Sequence, residues 1–196
     1  ITNEEIRDNQ IKDKTYEKDI SYTEIETYLL AQKTNISQRK IGDFVFAARA
    51  VTPEEKILQE HTSKVTTQEK LDSLLRDYNG LLYVDFSIDT DNFNHVLLRY
   101  DLKSQAQYQE RVRYFSFDFQ QNIKLQACGQ DFPCKLYHFE RNFGVKSGLN
   151  FSMGFEIPET CSTNQLKLVV DDFIFNHGRV KINLLRQEFP EIKFNS

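Results

Sequence analysis

From Leu81 onward apolar residues recur at every second position, a period that commits the chain to β-strands rather than helices. Leu82, Val84, Phe86 and Ile88 alternate with Tyr83, Asp85 and Ser87, while Leu149, Phe151, Met153, Phe155 and Ile157 alternate with Asn150, Ser152, Gly154 and Glu156. Phe115, Phe117 and Phe119 alternate with Ser116 and Asp118 and are expected to form a strand as well. Further strands are expected over Val96 to Leu102, Ile123 to Leu125, Lys135 to Phe139, Leu166 to Val170 and Val180 to Leu184, set apart by turn residues such as Phe132-Pro133 and His177-Gly178. Upstream, Phe44, Phe46, Ala48 and Ala50 alternate with Val45, Ala47, Arg49 and Val51, and Pro53 closes the run.

Two segments depart from this period. Thr66-Thr67-Gln68-Glu69 is a capping box, Leu71, Leu74, Leu75 and Tyr78 follow at helical spacing, and Gly80 is a stop, which predicts a helix near 67–79. Residues 1–40 are dominated by charged and amide side chains and read as a polar N-terminal arm, with a short helix near 22–32 behind the capping box Ser21-Tyr22-Thr23-Glu24. The rest, 41–196, is expected to be a single mainly β domain: an antiparallel β-sandwich, immunoglobulin-like or similar, with one or two helical additions. An open barrel and an α+β sheet are the alternatives.

Composition enters through partners. A net charge of −4 gives no general attraction to nucleic acid, and no apolar run approaches the roughly 20 residues that span a bilayer. Sixteen Phe and nine Tyr supply a core without any Trp. The first residue is Ile1, and a removed signal peptide or a trimmed boundary both fit that start.

The stretches PCKLYHFERNFGVKSGLNFSMGFEIP, LKLVVDDFIFNHGRVKINL and FPEIKF, with DFVFAARAVTPEEKILQE before them, resemble uncharacterised secreted lipoproteins of Bacteroidetes, over roughly Asp43 to Phe194. The resemblance implies an address in the cell envelope or outside the cell, with a lipid-bearing Cys upstream of residue 1 and the polar arm as spacer.

The three cysteines form no zinc signature. Cys128 and Cys134 bracket a short loop with Gly129 and Pro133, so a Cys128–Cys134 bridge is expected in an oxidising compartment, leaving Cys161 free. Asp85, Asp89, Asp91, Asn92 and Asn94 cluster oxygen ligands as a calcium loop does, but Phe93 interrupts them and no Gly allows the sharp turn. His138 and Glu140 share a strand face and could orient one another for general-base work, yet no motif ties a nucleophile to them, and GxSxG, GxGxxG, P-loop and HExxH are absent. Arg111 and Arg113 flank YFSFDF, where core burial of the Phe residues is expected, with Tyr114 exposed opposite.

The sequence therefore reads as a noncatalytic envelope or secreted module that engages a protein partner without cofactor or metal. Its predicted contacts are the loop residues Asp89, Asp91, Asn92 and Asn94, together with Arg141, Asn142 and Lys146. A hydrolase centred on His138 and Glu140 is the alternative, as is a glycan- or calcium-binding domain.

Overall fold

The computed structural model describes residues 35–61, 68–91, 96–140 and 148–186, together with Leu29. Eight strands are arranged in one sheet in the order β1-β2-β3-β6-β5-β4-β7-β8, every pair antiparallel. They are β1 (Ser37–Ile41), β2 (Phe44–Val51), β3 (Leu81–Thr90), β4 (Ile123–Ala127), β5 (Gln130–Glu140), β6 (Leu149–Glu156), β7 (Gln165–Asp172) and β8 (Gly178–Leu185). Strand β5 pairs with β4 through Gln130 to Pro133 and with β6 through Cys134 to Glu140, with a bulge between Cys134 and Leu136. A bulge bends its strand, so the sheet turns a corner there. The two end strands come back together, and the Arg39 guanidinium on β1 donates to the Lys181 carbonyl on β8 at 3.3 Å.

The expected mainly β, antiparallel domain with helical additions is therefore present, built as a single nearly closed sheet. Alternation decides its inside. Phe46, Phe86, Phe151 and Phe155 point inward and are buried, and Phe151 lies 5.1–5.6 Å from the rings of Phe86, Phe119 and Phe139. Such offset aromatic contacts add about 1 kcal/mol each to the burial of the rings themselves.

The Phe115 region corrects the periodicity reading. Ser104 caps helix α3 (Gln105–Arg113) by accepting from the Gln107 amide at 3.2 Å, and the helical path runs on through a π turn (Tyr114–Asp118) and a 3-10 turn (Phe119–Asn122). Phe115 and Phe119, four residues apart, then share one buried side while Phe117 is 68% exposed. A three-residue alternation fits both a strand and an i, i+4 pair, and the cap upstream settles the choice. Tyr114 is half-buried and its hydroxyl accepts from the Asn122 side chain at 2.7 Å, so it is not the exposed ring expected. Arg111 turns inward to donate to the Leu97 and Tyr100 carbonyls, and only Arg113 stays outside, paired with Asp118. Val96 to Leu102 likewise holds a 3-10 turn (Leu97–Arg99) rather than a strand.

Outside the sheet, α1 (Pro53–His61) and α2 (Gln68–Tyr78) pack together around Ile57, Leu58 and Leu71. The predicted helix near 67–79 is α2. Leu29, the one described residue of the predicted 22–32 helix, is helical and packs on the same cluster; the others lie outside the described residues. Helix α1 is absent from the sequence-based expectation although its signals are plain: the Thr52 hydroxyl accepts from the Glu55 amide, Pro53 opens the first turn, and Glu54 and Glu55 complement its dipole. Strand β1 arises from the last residues of the polar stretch read as an arm.

Candidate functional site

Antiparallel topology sorts the connections into two ends. The end of β3, the starts of β4 and β6 and the β7–β8 hairpin lie at one end; the β4–β5 turn, the start of β7 and the end of β8 lie at the other.

Of the predicted partner residues, Asp89 and Asp91 belong to the first end. Asp89 is exposed, near the end of β3, and its carboxylate accepts from the Thr90 amide at 2.8 Å. Asp91 is paired with Lys40, so its charge is already met by this chain. A Cβ built on Gly148 would stand 3.2 Å from the Asp89 carboxylate, which places the start of β6 directly against β3. Asn92, Asn94, Arg141, Asn142 and Lys146 lie outside the described residues.

His138 and Glu140 sit as expected on one exposed face of β5, opposite Ser152 and Asn150 of β6. Register thus supplies a hydroxyl that the sequence motifs did not: Ser152, flanked by Asp85 on β3 and His138 on β5. Its Oγ is sealed from solvent and makes no hydrogen bond among the described residues, so it cannot meet a substrate as it stands.

The same outer face carries a charge cluster that periodicity hid. Arg49, 7% exposed, donates to Glu55 at 2.6 Å and to Asp85 at 3.1 Å; Lys56, equally buried, lies 3.2 Å from Glu60 and 3.7 Å from Asp85. Burial pushes the Glu55 carboxyl above its ordinary value despite Arg49 beside it. Burial also acts to raise Glu60, but the Tyr78 hydroxyl and Lys56 outweigh it and hold that carboxyl low. Every charge here has an internal partner, which marks the cluster as the seat of α1 on the sheet.

The second end is where the cysteines depart from expectation. Ala127 pairs with Gln130, so Cys128 and Gly129 form a two-residue hairpin turn, both with positive φ (49° and 75°). Gln130 to Pro133 then run as strand, carrying Cys134 about 13 Å up β5, beyond the roughly 7 Å between Cα atoms that a disulfide tolerates. Cys128 instead bonds to Cys161, with Cα atoms 5.8 Å apart, and the expected Cys128–Cys134 bridge is overturned. Cys134 is the free thiol, buried, and desolvation pushes its pKa up to about 12. Such a thiol is scarcely nucleophilic, and its hydrogen goes to the Leu136 carbonyl at 3.0 Å.

Beside the Cys128–Cys161 staple opens a cleft of about 930 Å³. Its rim is rich in hydrogen-bonding side chains: Gln126 and Gln130 from the hairpin, Gln165 and Lys167 from β7, Asn183 from β8 and Ser37 from β1. Leu166 and Leu184, both buried, provide apolar floor. Asp131 is held below the usual carboxylate range by hydrogen bonds from Lys124 and Gln126, so the hairpin wall is braced by its own side chains. Sequence reasoning missed this site, because its residues are ordinary amides and hydroxyls scattered over five strands.

No known protein family and no curated protein matches the chain. Among solved structures, a DUF4426 family protein from Pseudomonas aeruginosa PAO1 is similar in part: 7% identical, with a TM-score of 0.38, over 81% of this chain and 98% of that one.

Proposed function

We propose that the chain is a noncatalytic binding module of the cell envelope or the secreted space, which engages a protein partner. The observation that carries this reading is the cleft beside the disulfide: a volume of about 930 Å³ walled by strand ends, with amide and hydroxyl groups turned to solvent. Rigid strand ends that present hydrogen-bonding groups to water are suited to holding another chain. The Cys128–Cys161 bond supports an oxidising address, since such bonds persist outside the reducing cytosol. The sealed Ser152 hydroxyl speaks against the hydrolase alternative, because His138 then has no accessible nucleophile across from it. The opposite end, with Asp89 against Gly148, is a second contact surface in the same reading.

A photo-crosslinking amino acid placed at Gln130, at Asp89 and, as a control, at exposed Glu110 on α3 tests the reading in cells that make the protein. Discrete crosslinked species at Gln130 and not at Glu110 are expected. Equal crosslinking at all three positions, or hydrolytic activity lost on His138→Gln, would overturn it.

A further inference from the structure

We propose that the mouth of the sheet at its stapled end holds a small apolar carboxylate, a free aliphatic acid whose head group meets Arg186. This site goes beyond the partner reading and does not depend on it.

Parity puts an arginine where the core would otherwise continue. Val180, Ile182 and Leu184 of β8 are buried in the main core. Arg186 stays in step with them, because its amide donates to the Asn164 carbonyl at 3.0 Å, one place beyond the Gln165–Leu185 pair. Beside it lies a cavity of about 470 Å³, whose apolar wall includes Ala50 near the end of β2, Leu82 near the start of β3, and Ile157 and Pro158 just beyond β6. Leu82 and Ile157 pack on the main core, so the cavity opens directly over it.

The charge of Arg186 is not met by this chain. Its Nη2 donates to the Cys161 carbonyl at 3.3 Å, and its Nε is sealed from solvent without a hydrogen-bond partner. Nη1 has no partner among the described residues and is open to solvent. Glu159 lines the same cavity but makes no ion pair with the guanidinium. A half-buried cation with unmatched N–H groups is undercompensated, and an anion at its open side restores what desolvation took away. A carboxylate fits best, since a guanidinium grips it through two parallel N–H···O bonds.

The wall selects the rest of the ligand. It is apolar where the neighbouring cleft presents amides, so it favours a hydrocarbon tail over a polar chain. Its volume is that of a small-molecule site, roughly 300–1,000 Å³, which favours a free acid over the end of a protein chain. The disulfide contributes position: Cys161, bonded to Cys128, supplies the carbonyl that steadies the guanidinium.

Octanoate titrated calorimetrically into the full chain is the probe, compared with 1-octanol, octylamine and acetate, which remove the charge, reverse it or remove the tail. Saturable binding of octanoate is expected, with each of the others about tenfold weaker or more, and with octanoate shifting the methyl resonances of Ala50, Leu82 and Ile157. Arg186→Gln should weaken octanoate about tenfold or more. Octanol bound as tightly as octanoate, resonance shifts confined to other residues, or octanoate binding unchanged by Arg186→Gln would overturn the assignment, as would no binding at all. Should Arg186→Gln fail to fold, octanoate against octanol on the unaltered protein decides the same question. An Ala-Ala-Leu tripeptide with a free carboxylate, bound more tightly than octanoate, would replace the free acid with a chain end and so also overturn it. None of these outcomes bears on crosslinking at Gln130, which tests the partner reading separately.

Discussion

The two ends of the sheet are stabilised by different physics. At one end the β3–β4 connection drops Leu97, Leu98, Phe115 and Phe119 into the mouth, and the β7–β8 hairpin closes over them with Phe175 and His177. Asp172, 2% exposed, organises that hairpin by accepting from the amides of Ile174, Phe175 and His177 and from the His177 ring. At the other end no ring of the described residues lines the cleft; a covalent bond ties the β4–β5 turn to the loop before β7. Apolar burial rigidifies a region by consuming its surface. A disulfide does so while leaving amides and hydroxyls in water, available to another molecule.

Breaking the filled end has the larger effect. Phe115→Ala removes a fully buried ring and is expected to cost about 3–5 kcal/mol, read from denaturant melts. Breaking the stapled end costs less: the Cys128→Ser/Cys161→Ser pair frees a loop of sequence separation 33 and should lose roughly 2–4 kcal/mol. Thiol counting sharpens this. Without reductant the unfolded chain should expose one reactive thiol, Cys134, and with reductant three.

A smaller effect tests the buried charges of the outer face. Because burial raises the Glu55 carboxyl, its protonation favours the folded chain: that contribution is complete below the unfolded value and lost as pH rises through the folded one. The wild type should therefore gain on Glu55→Gln as pH falls from about 7 to about 4, seen as a converging or reversing difference in Tm. A difference independent of pH would show that Glu55 does not titrate there. Smallest of all, Leu185→Ser at the rim of the cleft should change stability by no more than about 0.5 kcal/mol, since that side chain is 65% exposed.

Legibility follows the range of the interaction. The strands β2, β3, β6, β7 and β8 and helix α2 are readable because their periodicity extends over five or more residues and agrees with their turn and cap residues. Asp171 and Asp172, adjacent on a strand, must point to opposite faces, and they do: the first pairs with Arg179 outside, the second is buried in the hairpin. Helix α1 is equally readable from Thr52-Pro53-Glu54-Glu55, yet the alternation before it drew the reading to β2 and stopped it at Pro53. Phe115 to Phe119 misleads because three alternating rings are too few to separate a strand from a helical turn. Of the site, the exposed face shared by His138 and Glu140 is legible; the cleft is not, since nothing in an isolated Gln or Asn foretells which other amide will stand across from it.

By itself, then, the sequence determined an antiparallel β class, the inward faces of most strands and a capped helix, because alternation and capping act between residues a few positions apart. Tertiary structure decided the rest. Which cysteine meets Cys128 depends on how β4, β5 and β7 line up, and a turn at Cys128-Gly129 that starts β5 at Gln130 carries Cys134 away and leaves Cys161 in reach. Arg49 became a buried charge only because α1 folded back over β2 and β3 with Glu55 to meet it. Strands β1 and β8 come close, with Arg39 on the Lys181 carbonyl, but do not pair as neighbours in the sheet, a balance of twist and bend that no short stretch of sequence encodes.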